Sequence, residues 1–274
     1  MFEAKDRPSF NPLIVHVKSL EAAEQIAEVP QILKELANHF WPGPLTLLAP
    51  KKDTISDLVT AGSDMVAIRM PNHPLSLELL STLPFPLVAP SANPFGYVSP
   101  TNAKHVQAGL GKRVDYILDG GQCEIGLEST IVSLQNDTIC IHRLGAITSA
   151  QLKNTSKLDV ALNIQNNSNP VAPGMLDKHY SPTCKLFLYD EHTNLQEPNS
   201  SLIWFGDDVP MDLNESVSLF NLSRLGSLEE AASNLFSILR QLDRLNIKHA
   251  YIKAVPNTGI GMAINDRIKR AVVE

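Results

Sequence analysis

Apolar residues in this chain cluster in short runs separated by turn-forming residues. Leu13–Val17, Leu45–Leu48, Met65–Met70, Pro86–Ala89, Asp115–Leu118, Ser129–Leu134 and Thr138–Arg143 are each nearly continuous apolar or β-branched stretches. Such runs predict strands covered on both faces. Helical spacing lies between them. Leu20, Ala23, Ile26, Ala27, Val29, Ile32, Leu33 and Leu36 recur along Ser19–Ala37, with Pro30 breaking or kinking the run. Pro74–Leu83 reads as a second helix. From Asn154 to Pro170 the chain turns rich in Asn, Ser and Gln, a linker signature. A second alternation follows. Leu186–Tyr189, Ser201–Phe205, Ser216–Phe220 and Ala250–Val255 predict strands. Ser227–Leu245 predicts an amphipathic helix with Ala231, Leu235, Ile238, Leu239 and Leu242 on its apolar face. Ser227 and Glu230 have capping-box spacing. Gly259–Ala263 leads into a last helix ending near Val273. Strands alternating with helices predict an α/β chain with a small parallel sheet in its second part.

Composition narrows the class. The 274 residues carry a formal net charge of -6 and 43% hydrophobic residues. That supports a packed core and is unlike a general nucleic-acid binder, which is usually basic. Cys123, Cys140 and Cys184 are odd in number and widely separated, so they read as reduced thiols of a cytoplasmic protein. The charged start resembles no signal peptide, and no run has the length of a membrane span.

Candidate chemistry sits at strand ends, where open α/β sheets bind ligands. Pro90 and Pro94 hold Ser91 and Asn93 after one apolar run. Lys5-Asp6-Arg7-Pro8 sets two cations beside a turn, suited to an anion. His16 ends the first run, as ligand or as a satisfied structural imidazole. Arg69 and Arg143 end two others; an Arg in such a run needs an anionic partner, either a ligand or an internal carboxylate. Ser129 and Thr130 open a strand, for function or for β-propensity alone. A phosphate-binding Walker loop, a dinucleotide fingerprint, zinc spacing and a hydrolase elbow are all missing from the sequence.

Taken in order, Lys5–Pro8, Asn11–His16, Phe40-Trp41-Pro42-Gly43-Pro44-Leu45-Thr46, Val66–Pro71, Ala89–Asn93, Glu128–Val132, Arg143–Gly145, the run Pro173-Gly174-Met175 through His179-Tyr180-Ser181-Pro182, and Gly259–Ala271 resemble the threonylcarbamoyl-AMP synthase family in its long, two-domain form. The resemblance implies a YrdC-like twisted mixed-sheet domain over 1–150, a linker over 151–183 and a small Rossmann-like α/β domain over 184–274. It implies synthesis of L-threonylcarbamoyladenylate from L-threonine, bicarbonate or CO2, and ATP, with pyrophosphate released and Mg²⁺ accompanying the triphosphate. Other proteins would then transfer the group to tRNA, giving N6-threonylcarbamoyladenosine; contact with tRNA or double-stranded RNA is a further expectation. By resemblance, Lys5, Arg7, Asn11, Met65, Ser91, Ser99 and Arg143 would contact ATP. His16, Arg69, Ala89 and Ser129 would line the threonine site, and Tyr180 would act as a lid. No dedicated nucleophile, general base or metal ligand is expected. Family members usually carry a Pro-Thr-(Asp/Glu)-Thr-Val-Tyr-Gly-Leu run before the Lys-x-Arg motif, and this sequence does not contain it. The alternative is therefore a non-catalytic nucleotide- or RNA-binding protein of the same fold.

Overall fold

The structure is a computed structural model that describes residues 1–164, 180–193, 200–210, 213 and 217–273. It divides into two compact units. One gathers Met1–Ser91 and Glu128–Asp177, the other Ala92–Leu127 and Lys178–Glu274. Pro173, Gly174, Lys178 and His179 of the motif around Tyr180 lie outside the described residues.

The first unit is built on a seven-stranded mixed sheet. Its strands are β1 (Ile14–His16), β2 (Leu45–Pro50), β3 (Met65–Arg69), β4 (Leu87–Val88), β5 (Thr130–Gln135), β6 (Thr138–Arg143) and β7 (Asp159–Leu162), in the order β4-β1-β3-β2-β5-β6-β7. Pairing is parallel for β1 with β3, β2 with β5 and β6 with β7, and antiparallel for the other neighbours. The expected long helix is split at Pro30. α2 (Leu20–Ile26) is capped by Ser19, whose hydroxyl accepts from the Ala22 N–H, and α3 (Gln31–Phe40) restarts directly after the proline. Pro30 has no N–H and clashes with the preceding turn, which is why the break falls there. α3 buries Leu33, Leu36 and Ala37 against one sheet face, with Val15, Leu45, Leu47, Val66, Ile68, Val132 and Ile141.

The alternate residues of the same strands point to the opposite face. Ile14, Leu48, Ala67 and Ile131 form a small apolar cluster there. This second face holds the candidate site.

The run read as a linker begins with structure. After α4 (Asp57–Thr60), α5 (Pro74–Thr82) and α6 (Ala103–Leu110), α7 (Ser149–Ser156) opens on a full capping box between Thr148 and Gln151. β7 then pairs alongside β6, and Leu158 and Val160 pack on the main core. Local capping and two apolar contacts outweigh the polar composition. Asp115–Leu118, expected as a strand, is irregular; Tyr116 is 93% exposed and Leu118 65%. Its apolar residues have no face to bury, and no neighbouring strand among the described residues takes up its backbone.

In the second unit β8 (Lys185–Leu188), β9 (Ser200–Trp204), β10 (Ser218–Asn221) and β11 (His249–Ile252) form a parallel sheet in the order β10-β9-β11-β8. α8 (Leu228–Arg244) and α9 (Gly261–Ala271) pack with it. Ser227 caps α8 by accepting from the Glu230 N–H, while the Glu230 carboxylate turns to the Ser223 hydroxyl instead of back to the cap. Val98 of the Ala92–Leu127 segment belongs to this unit's core, with Tyr97 and Leu127 packed against it.

Candidate functional site

Strand register decides which residues of the first unit meet. His16 lies opposite Arg69, and Ile131 lies opposite both Thr46 and Arg143. The C-terminal ends of β1, β3 and β6 therefore share one sheet end with the N-terminal ends of β2 and β5. His16, Arg69, Ser129 and Arg143 gather at that end, on the face opposite the main core. Arg143 is 5% exposed; its Nε donates to the Ser129 carbonyl at 3.0 Å and its Nη2 to the Ser129 Oγ at 2.9 Å. The Ser129 Oγ is also 2.6 Å from the Oγ1 of Thr46, which is fully buried. Arg69 Nε donates to the Gly43 carbonyl at 3.0 Å. Gly43 is needed there because a Cβ would lie 2.1 Å from the Phe40 carbonyl oxygen.

His16 is held neutral. Burial, and then the Arg69 charge, push its imidazole down to about 4, against weaker upward pulls from the Ile14 and Leu87 backbone. Its Nδ1 is buried with no hydrogen-bond partner among the described residues. A neutral ring with an open nitrogen can meet a hydroxyl or an N–H of a ligand.

The other end of the strands has a different chemistry. α1 (Phe2–Lys5) is a single turn closed by Asp6 in the left-handed region. It delivers Lys5, 4% exposed, whose ammonium donates to the Ser91 carbonyl. Arg7 is 8% exposed and donates from Nη2 to the Pro12 carbonyl at 2.8 Å and, more weakly, to that of Asn11 at 3.4 Å. Its Nε has no hydrogen-bond partner, and no carboxylate pairs with it among the described residues. Burial, with Arg7 as a second cause, lowers the Lys5 ammonium to about 8, and burial lowers Arg7 to about 10. Asn11 is 1% exposed, and both polar atoms of its amide are unsatisfied. Burying such groups unpaired is costly, so they mark a place where something polar belongs. Met65 starts β3 opposite Pro50 at this end, and Ala89, exposed, donates its N–H to the Ile14 carbonyl.

The remaining two residues lie in the second unit. Ser99 is buried, and its carbonyl accepts from Arg240 Nε at 3.1 Å; the guanidinium also bonds to Val98 and sits 4.8 Å from the Tyr97 ring centre. Tyr97 donates to Asp243 at 2.6 Å, and Asp243 also accepts the Thr183 and Cys184 N–H groups. Tyr180, expected as a lid, is a core residue in this structure. It is 1% exposed, stacks on Phe236 at 5.3 Å, and lies 5.1 Å beneath the Arg267 guanidinium.

A family model described as "Telomere recombination", for Sua5, YciO and YrdC proteins, matches residues 1–145, and one described as "Threonylcarbamoyl-AMP synthase, C-terminal domain" matches 147–272. The threonylcarbamoyl-AMP synthase of Bacillus subtilis is 37% identical over 284 residues, covering 99% of this chain and 82% of the relative. That of Pyrococcus abyssi is 34% identical, covering 99% and 83%. The crystal structure of P. abyssi Sua5 complexed with L-threonine superposes with a TM-score of 0.86 at 30% identity, covering all of this chain and 85% of the other. The chain belongs to the threonylcarbamoyl-AMP synthase family. With the family in hand, two further residues stand out. Thr46, inside the Phe40–Thr46 motif, reaches Ser129 across 83 positions of sequence. Thr60, 2% exposed, carries a buried hydroxyl with no partner among the described residues and follows Val59, whose carbonyl holds the Leu13 N–H. The motif resemblance hinted at Thr46 without giving it a role; nothing in the sequence signals Thr60.

Proposed function

We propose that this chain makes L-threonylcarbamoyladenylate from L-threonine, bicarbonate or CO2, and ATP, releasing pyrophosphate, and so supplies the activated group for N6-threonylcarbamoyladenosine in tRNA. The observation that carries this reading is the pair of buried cations Lys5 and Arg7 beside the unsatisfied amide of Asn11. A buried guanidinium without a carboxylate is stabilised when an anion arrives. The P. abyssi relative with L-threonine bound supports the amino-acid half.

Lys5, Arg7, Asn11, Met65, Ser91, Ser99 and Arg143 are the proposed ATP contacts, and His16, Arg69, Ala89 and Ser129 the threonine contacts. Arg69 suits the amino-acid carboxylate, and neutral His16 suits the side-chain hydroxyl. The reaction forms a bond from a carbamate oxygen to the α-phosphorus and breaks the bond to pyrophosphate. Alignment of the oxygen and stabilisation of negative charge by fixed cations supply most of what this transfer needs. The carbamate itself is the nucleophile. Among the described residues no group of three His, Cys, Asp or Glu side chains is arranged to hold a metal. Mg²⁺ is proposed to accompany the triphosphate, whose oxygens would supply much of its coordination.

Residues 1–150 are the proposed catalytic domain, and one family model matches residues 1–145. tRNA-modifying transfer proteins are the proposed recipients of the product. Three free cysteines fit a reducing cytoplasm, and no helix among the described residues is long and apolar enough to cross a membrane.

Pyrophosphate release measured with ATP, bicarbonate and each of threonine, serine and valine tests the reading. Release that depends on threonine and bicarbonate is expected. ATP binding with no release under any condition would instead favour the non-catalytic alternative.

A further inference from the structure

The hydrogen-bond cluster around Ser129 leaves one hydroxyl proton without an acceptor inside it. Arg143 Nη2 donates to the Ser129 Oγ at 2.9 Å, and Thr46 Oγ1 lies 2.6 Å from the same atom. Thr46 and Ser129 are both buried, and neither hydroxyl has a second acceptor among the described residues. A serine oxygen has two lone pairs and one proton. One lone pair takes the Arg143 proton. If Ser129 donates to Thr46, the Thr46 proton is left buried with no acceptor. If Thr46 donates to Ser129, both lone pairs are filled and the Ser129 proton is the spare one. Ser129 and Ile131 have the same strand parity, and Ile131 lies on the face that carries His16 and Arg69. Thr46 lies opposite Ile131 on the same face, so what separates the two arrangements is which hydroxyl meets the ligand, and only the second leaves the proton on Ser129.

We infer that Thr46 is a positioning residue: by donating to Ser129 it turns the Ser129 proton outward, toward an anionic oxygen of the amino-acid substrate. Arg143 polarises the same hydroxyl from its other side, so the donor offered to the ligand is strengthened by two donors behind it. Thr46 does not touch the ligand. Its whole effect passes through one oxygen, which gives it a specific signature. The inference rests on Ser129 being a threonine contact, as proposed above.

The test is a double-mutant cycle on threonine affinity, measured by calorimetry on the full chain with ATP present. Ser129→Ala should weaken threonine binding. Thr46→Val, nearly the same shape without the hydroxyl, should weaken it about 3- to 10-fold, the usual worth of one neutral hydrogen bond. In the Ser129→Ala background, Thr46→Val should add nothing further, because the oxygen it acts on is gone. Thr46→Ser should restore wild-type affinity, which separates orientation from loss of packing, and would remain informative if Thr46→Val failed to fold. An unchanged affinity in Thr46→Val, a full additional loss in the double variant, or weak binding in Thr46→Ser would each overturn the inference. No effect of Ser129→Ala alone would also remove Ser129 from the proposed threonine site, so the two failures can be told apart.

Discussion

The two ends of the first unit's sheet carry similar residue types in opposite states. At the His16 end, Arg143, Ser129 and Thr46 are bonded to one another and Arg69 is bonded to Gly43, and the His16 Nδ1 is the one buried side-chain atom left open among the described residues. At the Ile14 end, among the described residues, Arg7 is buried without a carboxylate and the Asn11 amide has no partner on either atom. A network bonded mostly to itself is stable without ligand and presents a few aimed groups. An unfinished one costs stability until a ligand completes it. The contrast separates residues that shape the site from residues that wait for a ligand, although both groups are buried and polar.

Exchanging the two arginines should break the contrast most sharply. Arg7→Met should reduce ATP affinity about 10- to 100-fold, the worth of a charge-assisted contact, and change the melting temperature of the free protein little. The lost bonds to the Asn11 and Pro12 carbonyls are offset by relief of a desolvated charge. Arg143→Met should do the reverse in the free protein, costing about 2–3 kcal/mol of stability in urea unfolding as the Ser129 carbonyl and hydroxyl lose charged donors. Equal losses of stability in both variants would mean that the two ends are built alike.

Lys5 sharpens the same point through pH. Its ammonium is lowered to about 8 by burial and by Arg7. An arriving anion raises it again, so ATP binding near pH 8 should take up a proton, and affinity should fall as pH rises through 8. Calorimetry in buffers of different ionisation enthalpy reads that proton directly. In the free protein the sign is opposite. Between about 8 and the ordinary lysine value of 10.5, the unfolded chain binds a proton that the native state has lost, so stability should increase with pH across that window. Lys5→Met should remove both effects. A pH-independent affinity in the unmodified protein would show that Lys5 does not meet the anion.

Asn11 gives a smaller effect with an unusual combination of signs. Replacing a buried amide that has no partners by leucine removes a desolvation cost. Asn11→Leu should therefore leave the free protein as stable as before or slightly more so, while ATP affinity falls about 5- to 10-fold. A destabilised free protein would mean that the amide is satisfied in solution, by water or by a neighbour.

Much of this was legible in the sequence because period and punctuation are local. The apolar runs that became β1, β2, β3, β5 and β6, the break at Pro30 and the Ser227 cap are all set by residues a few positions apart. His16, Arg69 and Arg143 at strand ends could be read in the same way. Their convergence could not, because it depends on register: β2 lies beside β5, far along the chain, and that pairing brings Thr46 to Ser129. Asp115–Leu118 has the composition of a strand but lacks a ladder partner among the described residues. The polar stretch before Leu162 was misleading in the other direction, since β6 offered an edge for β7. Tyr180 shows the same limit. A tyrosine among prolines reads as a lid, and its packing against Phe236 and Arg267, distant in sequence, has no local signal. Whether a buried amide is satisfied, as at Asn11, is a property of surroundings that no local pattern encodes.

The smallest expected effect is at Thr60, and it tests how far the unfinished end extends. Its hydroxyl is buried without a partner, one residue beyond the Val59 carbonyl that holds Leu13. Threonine and valine have nearly the same shape, so Thr60→Val removes little besides the unsatisfied group. The free protein should gain about 0.5–1 kcal/mol, the low end of what an unsatisfied hydroxyl costs. If Thr60 belongs to the same polar gap as Asn11, ATP affinity should fall about 2- to 3-fold at the same time, as one weak neutral hydrogen bond is lost. Urea unfolding and ATP calorimetry on the same sample separate the cases. A stability gain with unchanged affinity would confine the unfinished end to Arg7 and Asn11. A stability loss would show that the hydroxyl is satisfied in solution, and the unfinished end would then exclude Thr60.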